Sequence, residues 1–330
     1  MTRLVVIGAS AGGLETLRAL FRDLPPDFPA AICIVIHVAP ESPGLLPSIL
    51  TRRDGMRVVH PRDGQPLRAG TAYIAPPDHH VLVEPDVVRL SRGPRENRFR
   101  PAIDPLFRSA AQAFGPAAVG VVLTGNLDDG AAGLWTIKQL GGVAIVQDPK
   151  DALFPAMPAH AARRVDVDYS VPVAEMAGLL TRIVTSPIQG DEGGPVPDHI
   201  GVEVRIAGGD HPRNAGFEQL AHPSPYACPE CHGVLLQLKE GGRIRFRCHI
   251  GHAYTVDSLL ADITDGIEQA MGVAVRALEE GGLLMGQMAE HFAQTHGDGY
   301  VERLTTAIGQ ARRHADAIRT LLRERERQND

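Results

Sequence analysis

Cysteine is scarce in this chain of 330 residues: four occur, and three of them, Cys228, Cys231 and Cys248, fall in one short stretch. No apolar run approaches the roughly 18–20 residues that cross a bilayer, and the first residues lack the long apolar core of an export signal. A net charge of −6 provides no cationic excess for binding phosphates. We therefore expect a cytoplasmic protein with no nucleic-acid partner and no direct membrane insertion, in which the clustered cysteines favour metal binding over disulfides.

Residues 1–186 have the pattern of a doubly wound α/β domain. Short apolar runs such as LVVIG (4–8) and AICIVIHV (31–38) do not alternate with polar residues, which is typical of parallel strands buried on both faces. Helical stretches separate these runs, so we predict a mostly parallel sheet with helices on both faces. The predicted strands are 4–8, 31–38, 71–75, 81–84, 119–124 and 143–147, and the predicted helices include 14–23, 44–53, 105–114 and 131–140.

The remainder of the chain divides into three parts. Residues 187–225 are rich in Gly, Pro, Asp and Asn, and we predict a linker with little core of its own. A Cys/His segment follows over 226–256. Apolar residues spaced by three and four then predict an antiparallel helical hairpin and tail over 257–330, with the turn near THGDG at 295–299.

Ser10 lies in a glycine-rich turn between a predicted strand and a predicted helix. The pentapeptide Gly8-Ala9-Ser10-Ala11-Gly12 has the pattern G-x-S-x-G, which presents a serine nucleophile on a tight turn facing a helix N-terminus. The alternative is a phosphate- or dinucleotide-binding turn. No carboxylate ends the second strand to hold a ribose, and no Gly-Lys-Ser/Thr follows the glycines, which favours the nucleophile.

Candidates for a base and its orienting acid end two other predicted strands. His37 follows the second strand, at the sheet edge where the first strand also ends, and a serine hydroxyl needs such a base. Asp128 and Asp129 follow the strand at 119–124. Either carboxylate could orient the imidazole, and both could instead cap the next helix, so the spacing leaves the choice between them open.

Five segments in this order resemble the catalytic domain of the CheB family of chemotaxis receptor methylesterases: VVIGASAGGLETL, IVIHVAP, RPAIDPLFRSAA, VVLTGNLDDGAAGL and AIVQDPKDALFPAMPAHA. The resemblance implies that Ser10, His37 and Asp129 are catalytic, and that backbone N–H groups near Ala11 and Asn126 hold the oxyanion. It also implies hydrolysis of glutamyl methyl esters on a methyl-accepting chemoreceptor or similar signalling protein. Methanol is then a product, and deamidation of receptor glutamines is a related activity.

Two departures from the family pattern bear on substrate and regulation. The family commonly has Gly-Met-Gly where this chain has Gly125-Asn126-Leu127, so the lip of the pocket differs. The chain begins at the catalytic strand, and we expect no phosphoacceptor receiver domain and no activation by phosphorylation within the chain. The alternative functions are a serine esterase or amidase with another substrate, and a non-enzymatic signalling adaptor.

The Cys/His segment has the spacing of a zinc site. Sixteen residues separate Cys228-Pro-Glu-Cys231 from Cys248-His249-Ile250-Gly251-His252. Two close pairs of donors can supply a tetrahedral zinc ion, and we predict Cys228, Cys231, Cys248 and His252 as ligands, with His249 as the rival for the fourth position. Three thiolates make a closed, structural site, so no catalytic cofactor is expected. Reduced thiols without metal are the alternative.

Overall fold

A computed structural model describes residues 3–188, 196–240, 243–292 and 298–329, and these residues fall into two units, Met1–Leu259 and Leu260–Asp330. The strands, in chain order, are β1 (Leu4–Ala9), β2 (Ala31–Ile36), β3 (Arg57–Val59), β4 (Gln65–Pro66), β5 (Thr71–Ile74), β6 (His80–Glu84), β7 (Val87–Ser91), β8 (Ala118–Val122), β9 (Val143–Gln147), β10 (Tyr169–Val171), β11 (His222–Ala227), β12 (Val234–Glu240), β13 (Arg243–Cys248) and β14 (Ala253–Thr255). The helices are α1 (Gly13–Asp23), α2 (Leu46–Leu50), α3 (Ile103–Phe114), α4 (Ala131–Gln139), α5 (Ala156–Arg164), α6 (Val173–Thr185), α7 (Asp198–Ala207), α8 (Pro212–Ala215), α9 (Val256–Phe292) and α10 (Asp298–Asn329).

A seven-stranded parallel sheet forms the centre of the first unit, in the order β10-β9-β8-β1-β2-β5-β3. Alternate residues of β1 face opposite sides: Leu4 and Val6 join one apolar cluster, whereas Val5 and Ile7 join another. Helices α3, α4 and α5 cover the first side, and α1 and α6 cover the second. The predicted doubly wound fold is confirmed, and unbroken apolar strands are its cause because both faces are buried. Helix α2 is shorter than the predicted helix over 44–53.

The predicted linker over 187–225 is wrong for α7. Ile200 and Ile206 of this helix are completely buried, and Ile200 joins the apolar cluster that contains α3. Glu203 lies between these two isoleucines in the helix and is only 2% exposed, so the buried face of α7 includes a charged side chain. Part of the predicted linker, at 189–195, lies outside the described residues.

The Cys/His segment forms a four-stranded antiparallel sheet in the order β11-β12-β13-β14. The small strands β4, β7 and β6 form a separate antiparallel sheet beside the parallel one.

The second unit consists of α9 from Leu260 onward and of α10, whereas the first residues of α9 belong to the first unit. Within it, Arg319 of α10 pairs with Glu279 of α9, and Ala311 and Ala315 of α10 are buried. Helix α10 continues to Asn329, so the predicted tail is helical over the described residues. The predicted turn falls largely on 293–297, outside the described residues. None of the described helices combines the length and apolar character needed to cross a membrane.

Candidate active site

The carboxyl edge of the parallel sheet brings Ser10, His37 and Asp129 together. Ser10 directly follows β1, and its N–H donates to the carbonyl of Thr124 beyond β8 at 3.0 Å. His37 directly follows β2, and its N–H donates to the carbonyl of Ala9 at 3.1 Å. Asp129 lies just before α4. Parallel neighbours end at one edge of a sheet, which is why residues distant in sequence meet here.

The three side chains form a continuous hydrogen-bonded chain. Ser10 Oγ lies 3.1 Å from His37 Nδ1, and His37 Nε2 lies 2.8 Å from Asp129 Oδ2. An Nε2–H that donates to the carboxylate leaves the Nδ1 lone pair free to accept the serine proton. The side chains of His37 and Asp129 are only 3% and 2% exposed, whereas Ser10 is partly exposed. The arrangement is therefore competent for nucleophilic catalysis by an accessible serine with a buried base.

Backbone and side-chain donors surround the Asp129 carboxylate. Its Oδ1 accepts from Asn97 Nδ2 at 2.9 Å, from the Gly130 N–H at 3.0 Å and from the Asp104 N–H at 3.2 Å. Its Oδ2 accepts from the Ile103 N–H at 2.7 Å in addition to His37. Burial raises the pKa of Asp129, but these hydrogen bonds, led by that to the imidazole, hold it below its ordinary value. The carboxylate is charged at neutral pH and fixed in orientation.

The neighbouring Asp128 has different partners. Its Oδ1 accepts from the Thr255 hydroxyl at 2.7 Å, and its Oδ2 pairs with Arg164. In the structure, therefore, the Asp129 carboxylate contacts His37, whereas the Asp128 carboxylate contacts Arg164 and Thr255. Spacing alone left this choice open, because adjacent residues before a helix N-terminus can each point either way.

A tight turn supplies two residues that the sequence reasoning missed. Asn97 and Arg98 both have left-handed backbone conformations (φ 49° and 77°), and Glu96 and Phe99 exchange backbone hydrogen bonds of 3.2 and 2.9 Å across them. This resembles the hairpin turn that favours asparagine at positive φ. The turn directs Asn97 to Asp129, and it stacks Phe99 on the His37 imidazole with ring centroids 3.6 Å apart. The only feature of the sequence that pointed to this turn was an asparagine within a polar stretch.

Asp104 forms a second carboxylate layer behind Asp129. Its Oδ1 accepts from the N–H groups of Gly130 and Gly133 at 3.1 and 2.7 Å, and its Oδ2 accepts from Asn97 Nδ2 at 2.9 Å. Burial, followed by the charge of Asp129, raises the pKa of Asp104 to about 7. The two aspartates therefore share one asparagine amide, and protonation of Asp104 relieves their repulsion.

Two glycines make room around the site. A Cβ on Gly125 would lie 2.8 Å from Ser10 Cβ and 2.7 Å from Met157 Cε, so this glycine lets the loop after β8 approach the nucleophile. A Cβ on Gly8 would overlap the side chain of Ile103, whose N–H donates to Asp129.

The residues predicted to hold an oxyanion flank Ser10. Ala11 follows the serine within the turn, and its carbonyl accepts from the Thr124 hydroxyl at 3.0 Å, which fixes the turn. Asn126 follows Gly125 and is exposed. Within the part of the chain that the structure describes, neither the Ala11 nor the Asn126 N–H donates to a protein acceptor. Such unoccupied donors suit an oxygen that becomes charged during reaction.

The predicted metal ligands meet at one end of the antiparallel sheet. Donor atoms of Cys228, Cys231, Cys248 and His252 all lie within 4.8 Å of one another. His249 is exposed and is not in this cluster. Contact with Cys248, against the opposing effect of burial, lowers the pKa of Cys228 to about 3. The same contact raises the pKa of Cys248, so the pair favours one thiolate.

The distances between these donors fit a tetrahedral ion. The Sγ atoms of Cys231 and Cys248 are 3.5 Å apart, and His252 Nδ1 lies 3.6 Å from Cys228 Sγ and 3.5 Å from Cys248 Sγ. Ligands bonded to one zinc ion at 2.0–2.3 Å are separated by about 3.5–3.8 Å. His252 Nε2 lies 3.4 Å from Glu230, and such a carboxylate typically fixes the ligand tautomer.

A cluster of buried charges joins the Cys/His segment to the α/β domain. Arg247 Nη2 lies 2.9 Å from Glu96 and 2.6 Å from Glu203, and Arg245 Nη1 lies 2.9 Å from Glu203. Arg108 of α3 also pairs with Glu96. Each of the five side chains is at most 4% exposed. Attraction of the arginines outweighs the cost of burial and lowers the pKa of both glutamates, so the cluster is ionic.

Comparison with known proteins places the α/β domain in a family. The sequence model described as CheB methylesterase matches residues 5–180. A relative from Leptospira interrogans is 37% identical over 180 residues, which are 54% of this chain and 93% of that relative. Protein-glutamate methylesterase/protein-glutamine glutaminase 2 of Anaeromyxobacter dehalogenans is 42% identical over 179 residues, covering 54% of this chain and 52% of the relative.

A solved structure has the same fold. The crystal structure of the Thermotoga maritima CheB methylesterase catalytic domain aligns with a TM-score of 0.53 at 30% identity, covering 56% of this chain and 99% of that domain. The match of the family's sequence model, the relatives and the shared fold lead to one conclusion: this chain belongs to the CheB methylesterase family.

Proposed function

We propose that this protein is a protein-glutamate methylesterase, which hydrolyses glutamyl methyl esters on a chemoreceptor or similar signalling protein to glutamate and methanol. The relatives' names support this activity. The observation that carries the assignment of residues is the hydrogen-bonded chain from Ser10 Oγ through His37 to Asp129. The four free cysteines fit a reducing compartment, so a cytoplasmic location is part of the proposal.

In the first half of the reaction, Ser10 Oγ attacks the ester carbonyl carbon while His37 Nδ1 accepts the hydroxyl proton. The Asp129 carboxylate stabilises the imidazolium through Nε2. The N–H groups of Ala11 and Asn126 donate to the oxyanion, and one such donor is typically worth about 3–4 kcal/mol. The imidazolium then protonates the methoxide, the carbon–oxygen bond to it breaks, and methanol leaves a glutamyl ester of Ser10.

In the second half, water replaces methanol. His37 Nδ1 accepts a proton from the water as its oxygen attacks the acyl carbon, and the imidazolium returns a proton to Ser10 Oγ as that bond breaks. The product is a glutamate side chain. A glutamine amide reaches the same acyl intermediate if the imidazolium protonates the amide nitrogen, so that the C–N bond breaks and ammonia leaves. The relatives' second name, protein-glutamine glutaminase, supports this parallel activity.

We also propose that Cys228, Cys231, Cys248 and His252 hold a structural Zn²⁺ ion. When bound, the ion would link the β11–β12 connection to the β13–β14 connection of a sheet that has a small apolar core, and so contribute to its folding. Metal analysis of the purified protein should give about one zinc per chain, and Cys231→Ser should lower both the zinc content and the melting temperature. Full zinc content in Cys231→Ser would contradict this ligand set.

The experiment that tests the activity is methanol release from membranes containing methylated receptors. We expect release by the unaltered protein and a decrease of about 10³-fold or more for Ser10→Ala, because the nucleophile is lost. Ser48→Ala is the matched control, since the Ser48 hydroxyl is exposed and donates only to the Leu45 carbonyl among the described residues. Equal release by Ser10→Ala would contradict the proposal. No release by folded protein whose Ser10 still reacts with a phosphonate probe would indicate another ester substrate.

A further inference from the structure

The turn that contacts both His37 and Asp129 is held by the C-terminal segment. The Asn97 N–H donates to the carbonyl of Ala253 in β14 at 2.8 Å, and the Ala253 N–H donates to the carbonyl of Arg95 at 3.1 Å. These two bonds form a single parallel bridge between Glu96 and Ala253, which ties the turn to β14. This support comes from outside the region that matches the family, which ends at residue 180.

Residues at the start of α9 form a second set of hydrogen bonds with the turn. Thr255 Oγ1 accepts from the Ser258 N–H at 3.1 Å, and Ser258 Oγ accepts from the Thr255 N–H at 2.9 Å. This reciprocal pair is a capping box with serine in place of the usual glutamate or glutamine. Both groups also reach Asn97: its Oδ1 accepts from the Thr255 N–H at 3.1 Å and from the Ser258 hydroxyl at 3.2 Å.

The Asn97 amide is therefore satisfied at every position. Its Nδ2 donates to the carboxylates of Asp104 and Asp129, and its Oδ1 accepts from Thr255 and Ser258. Rotation of the amide by 180° would direct its oxygen at two carboxylates and its NH₂ at two donors. Asn97 is 1% exposed, so water cannot replace the lost partners. The C-terminal groups thus fix which end of the amide faces Asp129.

The buried charges hold the same turn from its other end. Glu96 precedes Asn97, and its carboxylate is paired with Arg108 of the α/β domain and with Arg247 of β13. A displacement of β13 would leave the completely buried Glu96 carboxylate with fewer charged partners. The position of the turn therefore depends on strands that belong to the Cys/His segment.

We propose that Asn97 and Ser258 are positioning residues of the active site, which act in series on Asp129, so that the C-terminal segment completes a catalytic centre whose reacting groups all lie in the α/β domain. The inference rests on the proposed function for its substrate. Ser258 orients Asn97, Asn97 orients the carboxylate, and the carboxylate and Phe99 together orient the imidazole. Asn97 and Ser258 are at most 1% exposed, so substrate cannot reach them and the effect should fall on the chemical step.

The test is a double-mutant cycle on methanol release, with kcat and KM measured separately. We expect Asn97→Ala to lower kcat about 30-fold and Ser258→Ala about 5-fold with KM unchanged, since small misplacements of a catalytic group are costly. In series, the double variant should resemble Asn97→Ala alone. Ser224→Ala is the matched control, because the Ser224 hydroxyl donates to the Leu235 carbonyl within the same antiparallel sheet and does not contact the turn.

The following outcomes of the double-mutant cycle would contradict the proposal. Independent effects multiply, so a double variant about 150-fold slower than the unaltered protein would contradict action in series. A change confined to KM would contradict the positioning role. An equal decrease in kcat for Ser224→Ala would contradict it as well. If Ser258→Ala fails to fold, Asn97→Ala still tests the layer, because it leaves the Thr255–Ser258 pair intact.

The rate of Ser10 labelling by a phosphonate probe separates this inference from the proposed function. If the unaltered protein labels but releases no methanol, the substrate is wrong, and the same cycle on labelling rates decides the positioning role. Unchanged labelling in Asn97→Ala would overturn that role.

Discussion

The α/β domain and the Cys/His segment are stabilised by different means. Every residue of β1 and β2 is buried, and apolar clusters lie on both faces of their sheet. In the antiparallel sheet, by contrast, most of β11 is exposed and the apolar cluster contains only a few side chains, two of them cysteines. Apolar burial on both faces of the sheet is the main stabilising feature of the first region. The second combines it with a ligand cluster and with buried arginines that share their carboxylate partners with the first.

This sharing makes the two regions one structure. Glu96 precedes the turn of the α/β domain, Glu203 lies on α7, and Arg245 and Arg247 lie on β13. A buried ion pair is weak evidence for net stability, but removal of one partner leaves an uncompensated charge at high cost. The arrangement therefore makes correct docking of the segment a condition for burying these charges.

Two adjacent aspartates give the sharpest contrast between chemistry and docking. Asp129→Asn should lower kcat by about 10⁴-fold, because an amide favours the wrong imidazole tautomer. Asp128→Asn should leave kcat near that of the unaltered protein and lower the free energy of unfolding by about 1–3 kcal/mol, because Arg164 and Thr255 lose a charged partner. Methanol release and urea unfolding measure the two effects, and the reverse pattern would exchange the roles of the aspartates.

Breaking the buried charge cluster should have the next largest effect. Glu203→Gln removes a carboxylate that pairs with both Arg245 and Arg247, and we expect a loss of about 3–5 kcal/mol in the free energy of unfolding. Glu218→Gln is the control, because Glu218 is half exposed in its pair with Arg213 and should change stability by less than about 1 kcal/mol. If Glu203→Gln and Glu218→Gln lowered the free energy of unfolding equally in urea, the charge cluster would not stabilise the contact between the α/β domain and the Cys/His segment.

The dependence of stability on pH should reveal the paired carboxylates of the α/β domain. Asp104 has a pKa of about 7 in the folded protein, above the ordinary value of 3.8. Between these values the folded state binds more protons than the unfolded state, so this contribution to stability is present at low pH and is lost as the pH rises through about 7. The slope reaches at most about 1.4 kcal/mol per pH unit.

Comparison with Asp104→Asn isolates that contribution. The difference in free energy of unfolding between the two proteins should change between pH 4 and 7 and level off above it, as measured by urea unfolding at a series of pH values. A constant difference would place the Asp104 pKa near its ordinary value.

The smallest expected effect concerns α7. Ile200→Val removes one methyl group from the apolar cluster of the α/β domain and should cost about 1 kcal/mol. Ile267→Val makes the same change at a side chain that is 41% exposed on α9 and should cost much less. Equal values would mean that α7 does not contribute to the core of the α/β domain.

The sequence predicted best where one physical cause dominates. Unbroken apolar strands specify a parallel sheet, and strand order then places Ser10 and His37 at one edge. The aspartate that meets them was not decided by spacing, because Asp128 and Asp129 differ only in side-chain direction. The family resemblance assigned Asp129, and the contacts with His37 agree with it.

Long-range polar contacts explain most of what was missed. A segment rich in Gly, Pro and Asp was predicted to be a linker, yet α7 lies within it because Ile200 and Glu203 find partners far away in sequence. Asn97 and Phe99 belong to a polar stretch with no periodicity, and their role depends on β14, more than 150 residues later. Partners this far apart along the chain leave no signal in the local sequence pattern.

The packing of Gly8 against Ile103 has a consequence for protein engineering. In the pattern G-x-S-x-G, the first glycine here makes room for a residue whose N–H anchors the acid, while the glycine that makes room for the serine is Gly125, three residues beyond β8. Transplanting the pentapeptide alone into a different parallel sheet would carry over the nucleophile without its anchoring geometry. A functional graft must include the first turn of α3 and the end of β8 as well.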